Sequence, residues 1–277
     1  MTFEKIAIAI PARISSSRLP RKVLEKINGI PILSLVLEKC KVAIPNESIF
    51  VCTDSEEISK IACDQGFRVF MTSENCSSGS DRISSVINEL LSIIWNCNFT
   101  SLKDDEKQKK MNETLIINVQ ADQPFLNPEI IKNMIHEAQK DKEVFDVITP
   151  IYKLNNTKIH NPNVVKVLLN YNNRVLYFSR SAIPYLRDYE QKDWGKNFIY
   201  WGHVGIYGYR ATILKNWNLM KNSLLEKAEK LEQLRLIENG CIFKTYIVKG
   251  DSLSIDTYEQ LEAAREFSKK LNSYSGY

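Results

Sequence analysis

Five short runs, "KIAIAI", "SIFVCT", "FRVFMT", "TLIINVQ" and "FDVITPIY", are largely apolar and lack the in–out alternation of a half-exposed strand. A strand of this kind is buried on both faces, as in a parallel sheet covered above and below. The segments between the runs carry helical spacing. "PILSLVLEKCKVA" starts on proline and sets Ile32, Leu35, Val36 and Val42 at helical intervals. "SEEISKIACDQG" has a serine at its start and a glycine at its stop. "SDRISSVINELLSII" and "NPEIIKNMIHEAQKD" continue the pattern. Repeated strand–helix units predict an α/β fold with a mixed, mostly parallel sheet and helices on both faces. Ligands of such sheets bind at the carboxyl ends of the strands. Chemistry is therefore expected in the loops after strands one to four: "PARISSSRLPRK", "TDSEE", "TSENCSSGSDR" and "ADQPFLNP".

Past residue 150 the pattern changes. "VVKVLLN", "RVLYFSR" and "HVGIYGYR" predict an antiparallel excursion over about 150–210. Residues 96–113 are polar and charged without a stable period and read as a surface insertion. "SLLEKAEKLEQLRLIENG" reads as one helix stopped at Gly240, with Leu225, Ala228, Leu231 and Leu234 as its core stripe. A strand, "IFKTYIV", and a last helix from Thr257 close the chain. The 277 residues, 44% hydrophobic, suffice for one large domain. A net charge of +4 is too balanced for a nucleic-acid binder. Six cysteines include no CxxC pair, so free thiols in a reducing compartment are expected rather than zinc or disulfides. "MTFEKIAIAIPAR" lacks a basic region before its apolar run and reads as a strand, not a signal peptide. No apolar run approaches the roughly 20 residues of a membrane span. These readings predict a cytoplasmic protein.

The first loop places Arg13, Arg18, Arg21 and Lys22 within ten positions of one another. Arg13, Arg18 and Lys22 can converge at the sheet edge with the hydroxyls of Ser15–Ser17, which suits a polyphosphate. A solvated basic loop is the plain alternative; the Walker pattern is absent. Asp122 follows the fourth strand at its carboxyl edge, where a carboxylate beside phosphates invites Mg²⁺ or simply caps a turn. Gln120 can read a base edge with its amide. "SSGSDR" offers Ser78, a glycine for close approach and Arg82, or an ordinary helix cap. Asp256 lies between a strand-like stretch and the last helix, as a cap or as a second metal carboxylate. Strand phase puts His203 and Tyr207 on one face. Glu232 and Gln233 lie off the leucine stripe, where most residues are solvated.

The order of these motifs is more specific than any one of them. "IPARISSSRLPRKVLEKINGIPIL", "VCTD", "SSGSDR", "NVQADQPFLNP", "NPNVVKV", "LYFSRSAIP", "HVGIYGYR" and "SIDTYEQLE" together resemble the 3-deoxy-manno-octulosonate (KDO) cytidylyltransferases, from about residue 6 to 266. The resemblance implies a Rossmann-like nucleotidyltransferase fold and a Mg²⁺-dependent reaction of CTP with KDO, giving CMP-KDO and pyrophosphate for lipopolysaccharide synthesis. It implies a homodimer joined through the antiparallel excursion. It places Ala12, Arg13, Arg18, Lys22, Ser78, Arg82 and Gln120 at the nucleotide, with Arg13, Lys22 and Asp122 in catalysis. Asp122 and Asp256 become metal ligands, and Arg180, His203, Tyr207, Glu232 and Gln233 meet the sugar acid.

Three departures bear on the substrate. The family reads "NVQGDEP" where this chain has Ala121 and Gln123, and it carries arginine where Gly202 stands. "DQP" with "SGSDR" resembles the variant acting on 8-amino-KDO; a sialic acid is a further acceptor to weigh. A glycosyltransferase would show Asp-x-Asp, but position 124 is proline. A nucleotide sensor without chemistry is the non-enzyme alternative.

Overall fold

The computed structural model describes the backbone of residues 3–274 except 17, 141–143, 222 and 251–253. The chain opens with β1 (Lys5–Ala12), then a short hairpin of β2 (Lys26–Ile27) and β3 (Ile30–Pro31). It continues through α1 (Ile32–Lys41), β4 (Ile49–Thr53), α2 (Glu56–Asp64) and β5 (Arg68–Met71). Next come α3 (Gly79–Ser85), α4 (Ile87–Ile94), α5 (Asp104–Asn112), β6 (Thr114–Asn118), α6 (Pro128–Lys140) and β7 (Val147–Lys153). The excursion holds α7 (Asn156–Ile159), β8 (Lys166–Leu169), β9 (Val175–Ser179), α8 (Trp194–Asn197) and β10 (Trp201–His203). The chain then runs through β11 (Tyr207–Arg210), α9 (Ala211–Lys215), α10 (Leu224–Glu229), α11 (Gln233–Glu238), β12 (Phe243–Ile247) and α12 (Tyr258–Tyr274).

β1 pairs in parallel with β4 on one side and β6 on the other, and β4 pairs with β5. β11 runs antiparallel between β6 and β7, and β12 lies parallel to β7. Strand side chains feed two cores. Ile8 and Ile10 pack with Leu33, Val36, Ile58 and Ile131 from α1, α2 and α6. Ala7 and Ala9 pack with Ile83, Leu90 and Leu214 from α3, α4 and α9. Strand order reverses at β1, whose successor β4 lies to one side and β6 to the other. Such a reversal opens a crevice beyond the carboxyl ends. Among the described residues no helix is long and apolar enough to cross a membrane. All six cysteines are free.

Several expected elements differ in detail. The helix predicted over 80–94 is two helices meeting at Val86. Ser85 turns its hydroxyl back onto the Arg82 carbonyl at 2.7 Å, a local bond that competes with helix continuation. Residues 96–113 contain α5, which has no apolar period. Its acids lie in the first turn and its lysines in the last, as the helix dipole favours. The helix predicted over 223–240 breaks at Lys230, which is left-handed at φ 54. Leu231 and Leu234 are buried as expected, but Ala228 is exposed. "HVGIYGYR" is not one strand. His203 pairs with Ile151 and Gly208 with Ile148, so five steps on one side meet three on the other. A bulge of two residues preserves the phase, and the rings of His203 and Tyr207 still meet at 5.2 Å.

Candidate active site

The opening loop leaves β1 and folds back on itself, with the Arg21 amide bonded to the Ile14 carbonyl at 3.2 Å. Arg21 is left-handed, and Lys22 opens a single 3-10 turn that directs its side chain into the crevice. Asp54, at the end of β4, fixes this loop. One of its oxygens accepts from the Ile14 amide at 3.2 Å, the other from Arg82 Nη2 at 2.7 Å. Arg82 also donates to Thr72, and both members of the ion pair are buried. Asp54, in "VCTD", carries no role in the sequence-based expectations. Its place at a strand's carboxyl end was the available signal.

Asp122 and Asp256 are far apart in sequence and meet here. The amide of Ile255 donates to the Asp122 carbonyl at 2.9 Å, stitching the last segment to the loop after β6. Leu19, Ile27, Ile32, Ile255, Leu261 and Ala264 form a small apolar cluster beneath that stitch. Lys22 Nζ then bridges Asp122 Oδ2 at 2.5 Å and Asp256 Oδ1 at 2.9 Å. Arg18 reaches Asp256 Oδ1 at 3.0 Å. Burial alone would lower the Lys22 ammonium, but the two carboxylates outweigh it and raise it. Burial raises the Asp122 carboxyl; Lys22 opposes the rise and Asp256 adds to it.

Arg13, Arg18, Lys22, Ser78, Arg82, Gln120, Asp122 and Asp256 all line one cleft of about 250 Å³. Ser78 does so as the cap of α3, accepting from the Asp81 amide at 3.2 Å. A Cβ on Gly79 would lie 2.9 Å from Pro11 Cγ, so the close approach expected of this glycine is to β1. Ala12 is buried in the core beneath. Ser17 lies outside the described residues.

A second cleft of about 530 Å³ shares Gln120, Asp122 and Asp256 with the first and adds His203, Tyr207 and Gln233. The Tyr207 hydroxyl donates to Gln233 Oε1 at 3.1 Å, so Gln233 is buried rather than solvated. Glu232 borders an adjoining recess with Ser78, Gln120 and Tyr207. It accepts from Ser80, which also contacts Tyr209 and Asn118, a buried network that sequence did not reveal. Burial raises Glu232, and burial together with Glu232 raises Tyr207 and Tyr209. Arg180 is the exception among the residues expected at the sugar. It lines neither cleft; its guanidinium caps the end of α10, donating to the Glu229 carbonyl at 2.7 Å and to the Pro162 carbonyl at 3.1 Å.

The sequence pattern of the cytidylyltransferase family matches residues 7–249. The chain belongs to the cytidylyltransferase family. It is 37% identical over 94% of its length, and 96% of the relative's, to the 3-deoxy-manno-octulosonate cytidylyltransferase of Elusimicrobium minutum. It is 34% identical to the 8-amino-3,8-dideoxy-manno-octulosonate cytidylyltransferase of Shewanella baltica, over 94% and 97% of the two chains. Among solved structures, the CMP:2-keto-3-deoxy-manno-octonic acid synthetase complexed with CTP superposes with a TM-score of 0.81. It is 31% identical, and the match covers 96% of this chain and 99% of that one.

Gly202 of this cytidylyltransferase, on β10, packs closely against side chains from the end of β7. A Cβ there would fall 2.6 Å from Leu154 and 2.7 Å from Tyr152. Lys166, also unassigned from sequence, is buried and donates to the carbonyls of Asn161, Val164 and Arg180 at 2.5–2.8 Å. It thereby ties down the loop that walls the second cleft. Burial lowers its ammonium to about 8.

Proposed function

We propose that this cytidylyltransferase transfers CMP from CTP to the anomeric hydroxyl of KDO, releasing pyrophosphate for lipopolysaccharide synthesis. The enzyme works as a cytoplasmic homodimer in this reading. The observation that carries it is the bridge of Lys22 between Asp122 and Asp256, at the junction of the two clefts. The names of the relatives support CTP and KDO as the substrates.

The two carboxylates fit Mg²⁺. They are hard oxygen donors that already converge on one cation, Lys22, and Mg²⁺ takes one or two carboxylates beside substrate phosphates. When bound, Mg²⁺ supplies charge neutralisation at the α-phosphate and orients the attacking oxygen. The chain's own residues do the rest. Arg13, Arg18 and Lys22 bind the triphosphate, and their charges offset what builds on the leaving pyrophosphate. Gln120 and the 77–82 turn border the cytidine. His203, Tyr207 and Gln233 orient the sugar acid so that its anomeric oxygen faces the α-phosphorus in line.

A second reading takes 8-amino-KDO as acceptor. Gln123 lines the second cleft, and its buried Oε1 has no hydrogen-bond partner among the described residues, an acceptor that suits an ammonium. Pyrophosphate release from CTP with KDO, 8-amino-KDO and a sialic acid separates the readings. The highest kcat/KM belongs to KDO in the first and to the amino sugar in the second. Preference for the sialic acid, or no release with any of the three, overturns both.

A further inference from the structure

Thr149, on β7, has no assigned part in any reaction and is fully buried. Its Oγ1 lies 2.8 Å from the Ile206 carbonyl, 3.5 Å from that of Val204 and 2.9 Å from His203 Nε2. Carbonyls only accept, and a hydroxyl has one proton. That proton goes to a carbonyl, because otherwise the Thr149 lone pairs would face Ile206 O at hydrogen-bond distance with nothing between them. The oxygen can then only accept from His203, so Nε2 carries the ring hydrogen. Both carbonyls come from the bulge between β10 and β11, which gives that irregularity a use.

The ring is held from other sides as well. Phe178 packs against it at 5.0 Å and Tyr207 at 5.2 Å. Burial lowers the imidazole to about 3, so it is neutral at physiological pH. With Nε2 engaged, Nδ1 is the polar atom the ring has left to offer the second cleft, and it is a bare acceptor.

We propose that Thr149 is a positioning residue that holds His203 as the Nε2–H tautomer, so that the cleft presents an Nδ1 acceptor to a hydroxyl of the acceptor sugar. The sugar clause rests on the proposed function; the tautomer does not. An imidazole fixed this way selects a donor at one position of the acceptor and disfavours an analogue that lacks it.

Long-range ¹H–¹⁵N correlation spectra of ¹⁵N-histidine-labelled free protein test the tautomer directly. The three histidines are assigned with His203→Gln. The expected wild-type spectrum shows His203 with a protonated Nε2 and an unprotonated Nδ1; the reverse pattern overturns the proposal. Thr149→Val is expected to mix the tautomers. It is also expected to raise KM for the sugar acid about fivefold to tenfold, the worth of one net hydrogen bond, with KM for CTP unchanged. Thr149→Ser is expected to restore both. A Thr149→Val protein with wild-type spectrum and wild-type sugar KM overturns the role. If Thr149→Val does not fold, the spectra of wild type and Thr149→Ser decide, the serine losing the Nε2–H pattern being the contrary result. Failure of every sugar acid to react would refute the proposed function and leave the tautomer spectrum to decide this claim alone.

Discussion

Replacing Asp54 by alanine strands a buried charge. Asp54 and Arg82 are each only 3% exposed at the side chain and lie 2.7 Å apart. Removal of one partner of such a pair costs about 3–5 kcal/mol, because the remaining ion is neither solvated nor compensated. The bond from Ile14 N is lost as well, and the tether of the basic loop goes with it. Thr72 still accepts from Arg82, which places the expected loss at the lower end of that range, about 3 kcal/mol. Urea unfolding of wild type and Asp54→Ala measures the difference, and CTP binding measures the loop. The double variant Asp54→Leu/Arg82→Met removes both charges and recovers most of the stability but not the nucleotide affinity. A loss below about 1 kcal/mol for Asp54→Ala, or a double variant as unstable as the single, would refute the reasoning.

Two further outcomes follow from the same geometry. Lys22→Met removes the cation that Asp122 and Asp256 share and leaves Arg18 on Asp256 alone, so Mg²⁺ added without nucleotide raises its melting temperature more than the wild type's, and its CTP affinity falls. Equal Mg²⁺ shifts would mean that the two carboxylates do not share a cation site. For His203 the folded pKa is depressed to about 3 from 6.5, so the unfolded chain binds the proton first as pH falls. The stability tied to the neutral ring is therefore complete above pH 6.5 and declines between there and about 3, by at most about 1.4 kcal/mol per pH unit. His203→Asn loses that part of the slope; parallel stability–pH curves for the two proteins would contradict the burial of the ring.

Much of the fold was legible because β1, β4 and β6 are buried on both faces and therefore read as unbroken apolar runs, whereas the edge strand β5 is half exposed despite its apolar sequence. The same logic located Lys22 and Asp122, which lie in the loops that follow β1 and β6 at the carboxyl edge of the sheet. The meeting of Asp122 with Asp256 depends on the Ile255 amide finding one carbonyl, which no periodicity encodes. The breaks at Val86 and Lys230 depend on single backbone choices inside otherwise helical spacing. α5 was missed because its support is charge at the helix ends, not an apolar stripe. Thr149, Asp54 and Lys166 act through atoms contributed by distant segments, so their residue types alone carry no signal. The family resemblance puts Arg180 at the sugar acid; in the structure its guanidinium closes a helix end.

Asp122 is the residue on which the account turns, since it belongs to both clefts and to the Lys22 bridge. Single-turnover CMP transfer from CTP by Asp122→Asn, under saturating KDO and Mg²⁺, tests it most directly. The account predicts a rate lower than wild type by about two to three orders of magnitude with an unchanged fold; a rate within threefold of wild type would contradict it.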